Sequence, residues 1–379
     1  MQPVARILLV LVLLSASLGS ALGQGAVRLY NDAQELYMND KYAQAEDKLK
    51  LALKQQKIYP DALFLLGQCK QEQGAHKKAI KYYNKALKQT PNNIEFIFHK
   101  AAAYESMGNV KKAVRYFLVT TNSDPNYAFA WKRLGSIFLR VGDNGPAIEY
   151  YGNAVDSNPL DKEAFMFRGN AQAAYGNYPE AATDYNIVLQ HDADDIEAWF
   201  ALATVQVRMG NAYEAVKDFS MVIDQDSTHR DALLNRGICL LALGLHKDAL
   251  QDFNQTLIAD SSFSAAWWNR AYLLFEQKQY DDALASAEVA TKLTPEDPEA
   301  WLLVGRIEFK QRHYEAAMEA YDRCLKINGN YSEALLNRGE AKRVLGDRKG
   351  ACKDWQKILK IDDGPTAEKA ENWIIINCD

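Results

Sequence analysis

The sequence predicts an all-α chain, a solenoid of stacked helix-turn-helix units, and three observations predict it. Alanine stands at Ala45, Ala79, Ala113, Ala147, Ala181, Ala215, Ala249, Ala283, Ala317 and Ala351, ten times at a spacing of 34 without insertion or deletion. Counted with Ala26 as position 1 of the first copy, position 8 is Gly or Ala in every copy, from Ala33 and Gly67 to Gly305 and Gly339. The large residues at positions 4, 7, 11 and 24, such as Trp131, Leu134, Phe138 and Tyr151, follow helical spacing rather than strand alternation. A unit this short cannot bury its own apolar face, so each copy must stack on the next.

Each element of the unit has its own signal. The small residues at positions 8 and 20 allow a first and a second helix to cross closely, because a larger side chain at either would push the backbones apart. Gly at position 15 (Gly74, Gly108, Gly142, Gly176, Gly210, Gly244 and Gly346) ends the first helix. Pro near position 32 (Pro91, Pro125, Pro159 and Pro295) ends the second. The copies begin at 26, 60, 94, 128, 162, 196, 230, 264, 298 and 332 within a single solenoid over 24–379, and a trailing helix over 366–378 caps it.

This pattern resembles the tetratricopeptide repeat (TPR) family: W-x2-L-G-x2-F runs from Trp131 to Phe138, A-x3-Y from Ala147 to Tyr151, and Pro159 closes the unit. The resemblance covers residues 26 to 365 and implies a right-handed α-α superhelix whose first helices line a concave groove. Two departures are local. Asp32 occupies a position 7 that is usually apolar, as expected of a terminal unit facing water, and Ala287 stands where an aromatic is usual, offset by the adjacent Trp267 and Trp268.

The N-terminus reads as a secretory signal over residues 1–23: Arg6, an apolar run from Ile7 to Leu14, then Ala21-Leu22-Gly23 as the cleavage region. An uncleaved anchor is the alternative, although the run is short for a span. An exported bacterial protein, periplasmic or secreted, is therefore expected. The net charge of −5 argues against nucleic acid as a partner. Charge is uneven: residues 24–125 hold 16 basic and 10 acidic residues. Lys77, Lys78, Lys81, Lys85 and Lys88 line one second helix, either a solvated face or a contact for an anionic membrane or partner, so membrane contact is at most peripheral.

Of five cysteines, Cys352 and Cys378 lie at matched distances from the turn at Gly364 and Pro365. An antiparallel hairpin brings such a pair side by side, and a bridge would stabilise the last helix by roughly 3 to 4 kcal/mol. Cys69, Cys239 and Cys324 read as small core residues.

Catalytic and metal-binding constellations are missing: there is no C-x2-C, H-E-x-x-H, G-x-S-x-G or phosphate-binding glycine loop. Most histidines fall at turns, and Glu95, Glu163, Glu197 and Glu299 are helix-start residues at position 2. A non-enzyme without cofactor, metal or small-molecule substrate is expected. In the groove that the resemblance implies, position 5 is apolar in nine copies, including Phe64, Phe98, Phe200, Leu234, Trp268 and Leu302, and forms a hydrophobic stripe. Position 6 adds Asn31, Asn235, Asn269 and Asn337, amides able to hold a peptide backbone. Trp268, Tyr272 and Phe275, next to Phe309 and Arg306, form the densest patch and the candidate partner site. Lys132, Arg133 and Arg140 form a basic island similar to one with which some family members hold a C-terminal carboxylate, without its paired asparagines. The expected function is a scaffold or adaptor that binds a protein or extended peptide. A holdase-like chaperone, or a targeting module for a separate catalytic subunit, are the alternatives.

Overall fold

The computed structural model describes residues 24–378; the expected signal segment lies outside them. Among the described residues all regular structure is helical, and no helix is long and apolar enough to cross a membrane. The described residues form two compact units, 24–191 and 192–378. The first contains α1 (24–38), α2 (Tyr42–Gln55), α3 (Pro60–Glu72), α4 (His76–Gln89), α5 (Ile94–Ser106), α6 (Val110–Ser123), α7 (Ala128–Arg140), α8 (Asn144–Ser157), α9 (Lys162–Tyr175) and α10 (Tyr178–His191). The second contains α11 (Ile196–Arg208), α12 (Ala212–Gln225), α13 (Arg230–Ala242), α14 (His246–Ala259), α15 (Ser264–Glu276), α16 (Tyr280–Leu293), α17 (Pro298–Lys310), α18 (Tyr314–Ile327), α19 (Ser332–Val344), α20 (Arg348–Ile361) and α21 (Pro365–Asn377). Within each unit every helix packs on the next, and neighbouring first helices (α3 on α5, α7 on α9, α13 on α15, α15 on α17, α17 on α19) also touch.

The pair at positions 8 and 24 sets how closely the two helices of a copy approach. A Cβ built on Gly67, Gly135, Gly169, Gly305 or Gly339 would fall 2.3–2.7 Å from the ring of Tyr83, Tyr151, Tyr185, Tyr321 or Trp355 respectively. Where position 8 is Ala, position 24 is smaller: Leu49, Phe117, Phe219 and Ala287 stand opposite Ala33, Ala101, Ala203 and Ala271. Ala287 is fully buried, with Trp268 and Trp301 packed against its cluster. Trp267 takes no part in that cluster and donates its indole N–H to the Ser261 carbonyl at 2.9 Å.

Position 15 is left-handed in every copy. Seven copies use Gly, at φ 71° to 96°, while Asp40, Lys278 and Arg312 hold φ 58°, 62° and 68° despite their side chains.

Positions 7 and 23 form a second pair, which reading the columns singly does not reveal. Arg168, Arg236 and Arg338 each make a bidentate ion pair with Asp184, Asp252 and Asp354, at 2.6–2.8 Å. Arg270 donates to Ser286 at 2.7 Å, and Lys100 lies 4.0 Å from the Tyr116 ring centre. The first copy reverses the polarity: Asp32 accepts from Lys48 at 2.9 Å. Asp32 is therefore paired rather than merely facing water, and its carboxyl is held below the usual range by that hydrogen bond. Among the aspartates at position 23, Asp218 is the exception. It is 9 % exposed, its position 7 counterpart is Leu202, and burial pushes its carboxyl up to about 6.

A disulfide joins Cys352 and Cys378, with Cα atoms 5.8 Å apart, and ties α21 to α20. Cys69, Cys239 and Cys324 are buried free thiols, and burial raises the titration of Cys69 to about 11.

Candidate functional site

The first helices of the second unit carry most of the candidate residues. On α15 the Trp268 and Tyr272 rings stack at 5.5 Å with an interplanar angle of 2°, both half-exposed over a buried cluster that contains Phe275. The stack follows from spacing, since residues four apart lie one above the other on a helix. Trp268 and Asn269 border a recess of about 310 Å³, with Ser264, Ala265, Ala290, Thr294, Asp297 and Glu299.

Four other indole N–H groups have loop acceptors. Trp131, Trp199, Trp267 and Trp301 at position 4 donate to the carbonyls of Pro125, Ala193, Ser261 and Pro295 at 2.8–2.9 Å, each tying a first helix to the loop before it. The Trp268 Nε1 donor, one position later, is buried and has no hydrogen-bond partner among the described residues. A buried donor without an acceptor costs roughly 1 to 3 kcal/mol, so this one is unusual.

The other candidates separate from this stack. Phe275 is only 7 % exposed and belongs to the core, offering its face to the Arg306 guanidinium at 4.9 Å. Phe275, Arg306, Phe309 and Asn337 border a second recess of about 470 Å³, together with Lys278, Lys310 and three glutamates. Arg306 approaches Glu333 at 3.7 Å. Asn269 spends one amide hydrogen on the Ala265 carbonyl at 2.8 Å. Asn235 is half-buried and borders neither recess. Phe200 packs two copies away, against Phe219 at 5.7 Å and His229 at 5.2 Å.

Two expectations need correction. The stripe at position 5 is not continuous: Phe64, Leu234 and Leu302 are 7 %, 7 % and 3 % exposed, because they insert between copies. Phe64, for example, stacks on Phe96 of the next copy at 4.4 Å. The basic island is neutralised: Lys132 pairs with Asp161 and Glu163, and Glu105 takes both Arg133 and Arg140. Two of its acids, Glu105 and Glu163, come from neighbouring copies, and the third, Asp161, is the last residue of the same copy, far from the cations in sequence. His99 is enclosed by Phe64 and Phe98 at 5.0 and 5.4 Å, and burial lowers its titration to about 4. Among the described residues no group of three or more His, Cys, Asp and Glu converges as metal ligands would.

Comparison with known proteins places this geometry. No curated protein sequence matches the chain. Among solved structures, the C-terminal part of a TPR repeat-containing protein from Cytophaga hutchinsonii is 16% identical, with a TM-score of 0.54, over 63% of this chain and 98% of that one. A tetratricopeptide repeat protein from Parabacteroides merdae is 19% identical, with a TM-score of 0.51, over 66% of this chain and 99% of that one. Both share the all-α solenoid fold. A sequence model of the tetratricopeptide repeat matches residues 132–196, 200–265, 246–298 and 269–333, and a second matches 60–93. The first of these covers more than half of the sequence, and the chain belongs to the tetratricopeptide repeat family.

Proposed function

We propose that this protein is a non-catalytic scaffold that binds an extended segment of a partner protein on the first-helix face of its second unit, centred on Trp268 and Tyr272. The observation that carries this reading is the half-exposed stack at the edge of a recess, with an indole donor that lacks an acceptor. A peptide backbone supplies carbonyl acceptors, and a small rotation of the Trp268 ring would bring its N–H to the recess. The stack gives apolar area at low entropic cost, as binding hot spots do. We further propose export. The apolar run from Ile7 to Leu14 and a disulfide in a chain with few cysteines support an oxidising compartment. The test is crosslinking in cells followed by mass spectrometry, comparing the protein with its Trp268→Ala, Tyr272→Ala variant. A single partner lost in the variant supports a scaffold, whereas many unfolded clients would favour a holdase. An unchanged partner set from a folded variant would move the site elsewhere.

A further inference from the structure

A different surface, on the first unit, points to a second kind of contact. Helix α4 carries Lys77, Lys78, Lys81, Lys85 and Lys88, and α6 carries Lys111, Lys112 and Arg115. All eight are exposed, and none makes an ion pair among the described residues. Neither helix contains a carboxylate, whereas each of the other eight second helices has at least one. The cations are thus uncompensated where the same repeat elsewhere mixes both signs. The side chains of Lys85 and Lys112 lie over Tyr82 and Tyr104 at 5.3 and 5.1 Å, which keeps the ammonium groups at the surface.

The placement runs against local preference. The lysine pairs Lys77-Lys78 and Lys111-Lys112 sit in the first turns of their helices, where the dipole disfavours cations. They recur at the same register, positions 18 and 19, of consecutive copies. At that end of the surface Met107 and Val110 are 37 % and 40 % exposed, and Met107 borders a shallow recess of about 350 Å³ with His76, Lys77 and Lys78.

We propose that the α4 and α6 surface binds an anionic phospholipid membrane peripherally. Three features favour lipid over an acidic protein. Seven of the eight cations are lysines, point charges that suit a diffuse anionic layer, whereas protein interfaces are depleted of Lys and enriched in Arg. The lysines of α4 run along its whole length, about 20 Å, rather than ringing a pocket. Exposed apolar side chains stand beside them, at a depth that headgroups accommodate. The proposal is independent of the peptide site on the second unit.

Sedimentation of the full chain with vesicles tests it. Binding is expected to vesicles containing one quarter phosphatidylglycerol and not to phosphatidylcholine alone, and it should weaken strongly between about 0.1 M and 0.5 M salt. Lys77→Glu, Lys81→Glu, Lys85→Glu should lower the partition coefficient by about a hundredfold or more, since each lysine near an anionic surface contributes about fivefold. The control Lys349→Glu, Lys353→Glu, Lys360→Glu makes the same change in net charge on exposed residues of the second unit and should bind as the unaltered chain does. Equal binding to both vesicle types, equal loss in both triple variants, or tighter retention on duplex DNA or polyglutamate than on the anionic vesicles would each overturn it. Circular dichroism of both variants separates loss of binding from loss of fold.

Discussion

Asp218 stands at a repeat position where Asp184, Asp252 and Asp354 each supply half of an ion pair, buried here opposite a leucine. Its titration is pushed up by burial from the ordinary 3.8 to about 6, with Glu214 adding to the effect. A group whose folded value lies above its unfolded value contributes stability that is present below 3.8 and lost as the pH rises through about 6. At pH 8 the folded chain should therefore carry a cost of about 3 kcal/mol from this one side chain. Asp218→Asn removes the titration, so its stability relative to the unaltered chain should improve by about that amount between pH 4 and pH 8. For a unit of this size the shift corresponds to roughly 6 to 12 °C in Tm. The comparison isolates Asp218, because aspartates held low by hydrogen bonds, such as Asp226 and Asp260, act in the opposite sense in both proteins. Leu202→Arg provides a second arm. It recreates the geometry of Arg236 on Asp252 and should reverse the pH dependence by favouring the charged carboxylate. Urea melts at both pH values measure all three proteins. Parallel pH dependence in the unaltered chain and Asp218→Asn would refute the reasoning.

Gly305→Ala should destabilise by about 1 to 3 kcal/mol, because the new methyl meets the Tyr321 ring at 2.4 Å, and Tyr321→Leu in the same chain, which removes the ring carbons it meets, should recover part of the loss. Thermal melts read both. Arg312→Gly should raise stability by about 1 kcal/mol by relieving φ 68° at a turn where other copies use Gly; an unchanged or lower Tm would count against strain there. Reducing Cys352–Cys378, which closes a span of 26 residues, should cost up to about 3.5 kcal/mol, seen as faster hydrogen exchange in α21 before the rest of the second unit. Trp268→Ala should weaken partner binding by roughly thirtyfold with the fold intact, and binding within twofold of the unaltered chain would exclude the stack as the anchor.

The repeat was legible because each of its signals is local: first helices start at Pro60, Ile94, Ala128 and onward at intervals of 34 because their punctuating residues recur at that interval. The Cys352 and Cys378 pairing was legible for a related reason, since a hairpin converts equal distance from a turn into proximity. What column reading misses is relation between columns. Arg236 and Asp252 stand 16 apart in sequence, a separation that means nothing until two helices lie side by side. The same blindness turned Lys132, Arg133 and Arg140 into an apparent anion site, since Glu105 and Glu163 belong to other copies and Asp161 stands at the far end of the same one. The proposed binding patch was half legible. Residue types singled out Trp268 and Tyr272 as candidates, but only packing shows that Phe275 is spent on the core and that the Trp268 N–H has no acceptor among the described residues.

The coupling between positions 8 and 24 also constrains how a copy can change. Gly opposite Tyr and Ala opposite Phe both occur, while Ala opposite Tyr occurs in none of the ten copies. A Cβ on Gly237 would meet the Phe253 ring at 2.6 Å, as close as at the Gly–Tyr pairs, so the methyl collides with ring carbons that Phe and Tyr share, and the ring must shift before the methyl fits. The seventh copy, with Gly237 against Phe253, combines the glycine of one state with the ring of the other. Ten copies in one chain thus preserve two packings of one helix crossing and a mixed form, and a copy that passes between them must move a ring as well as exchange a residue.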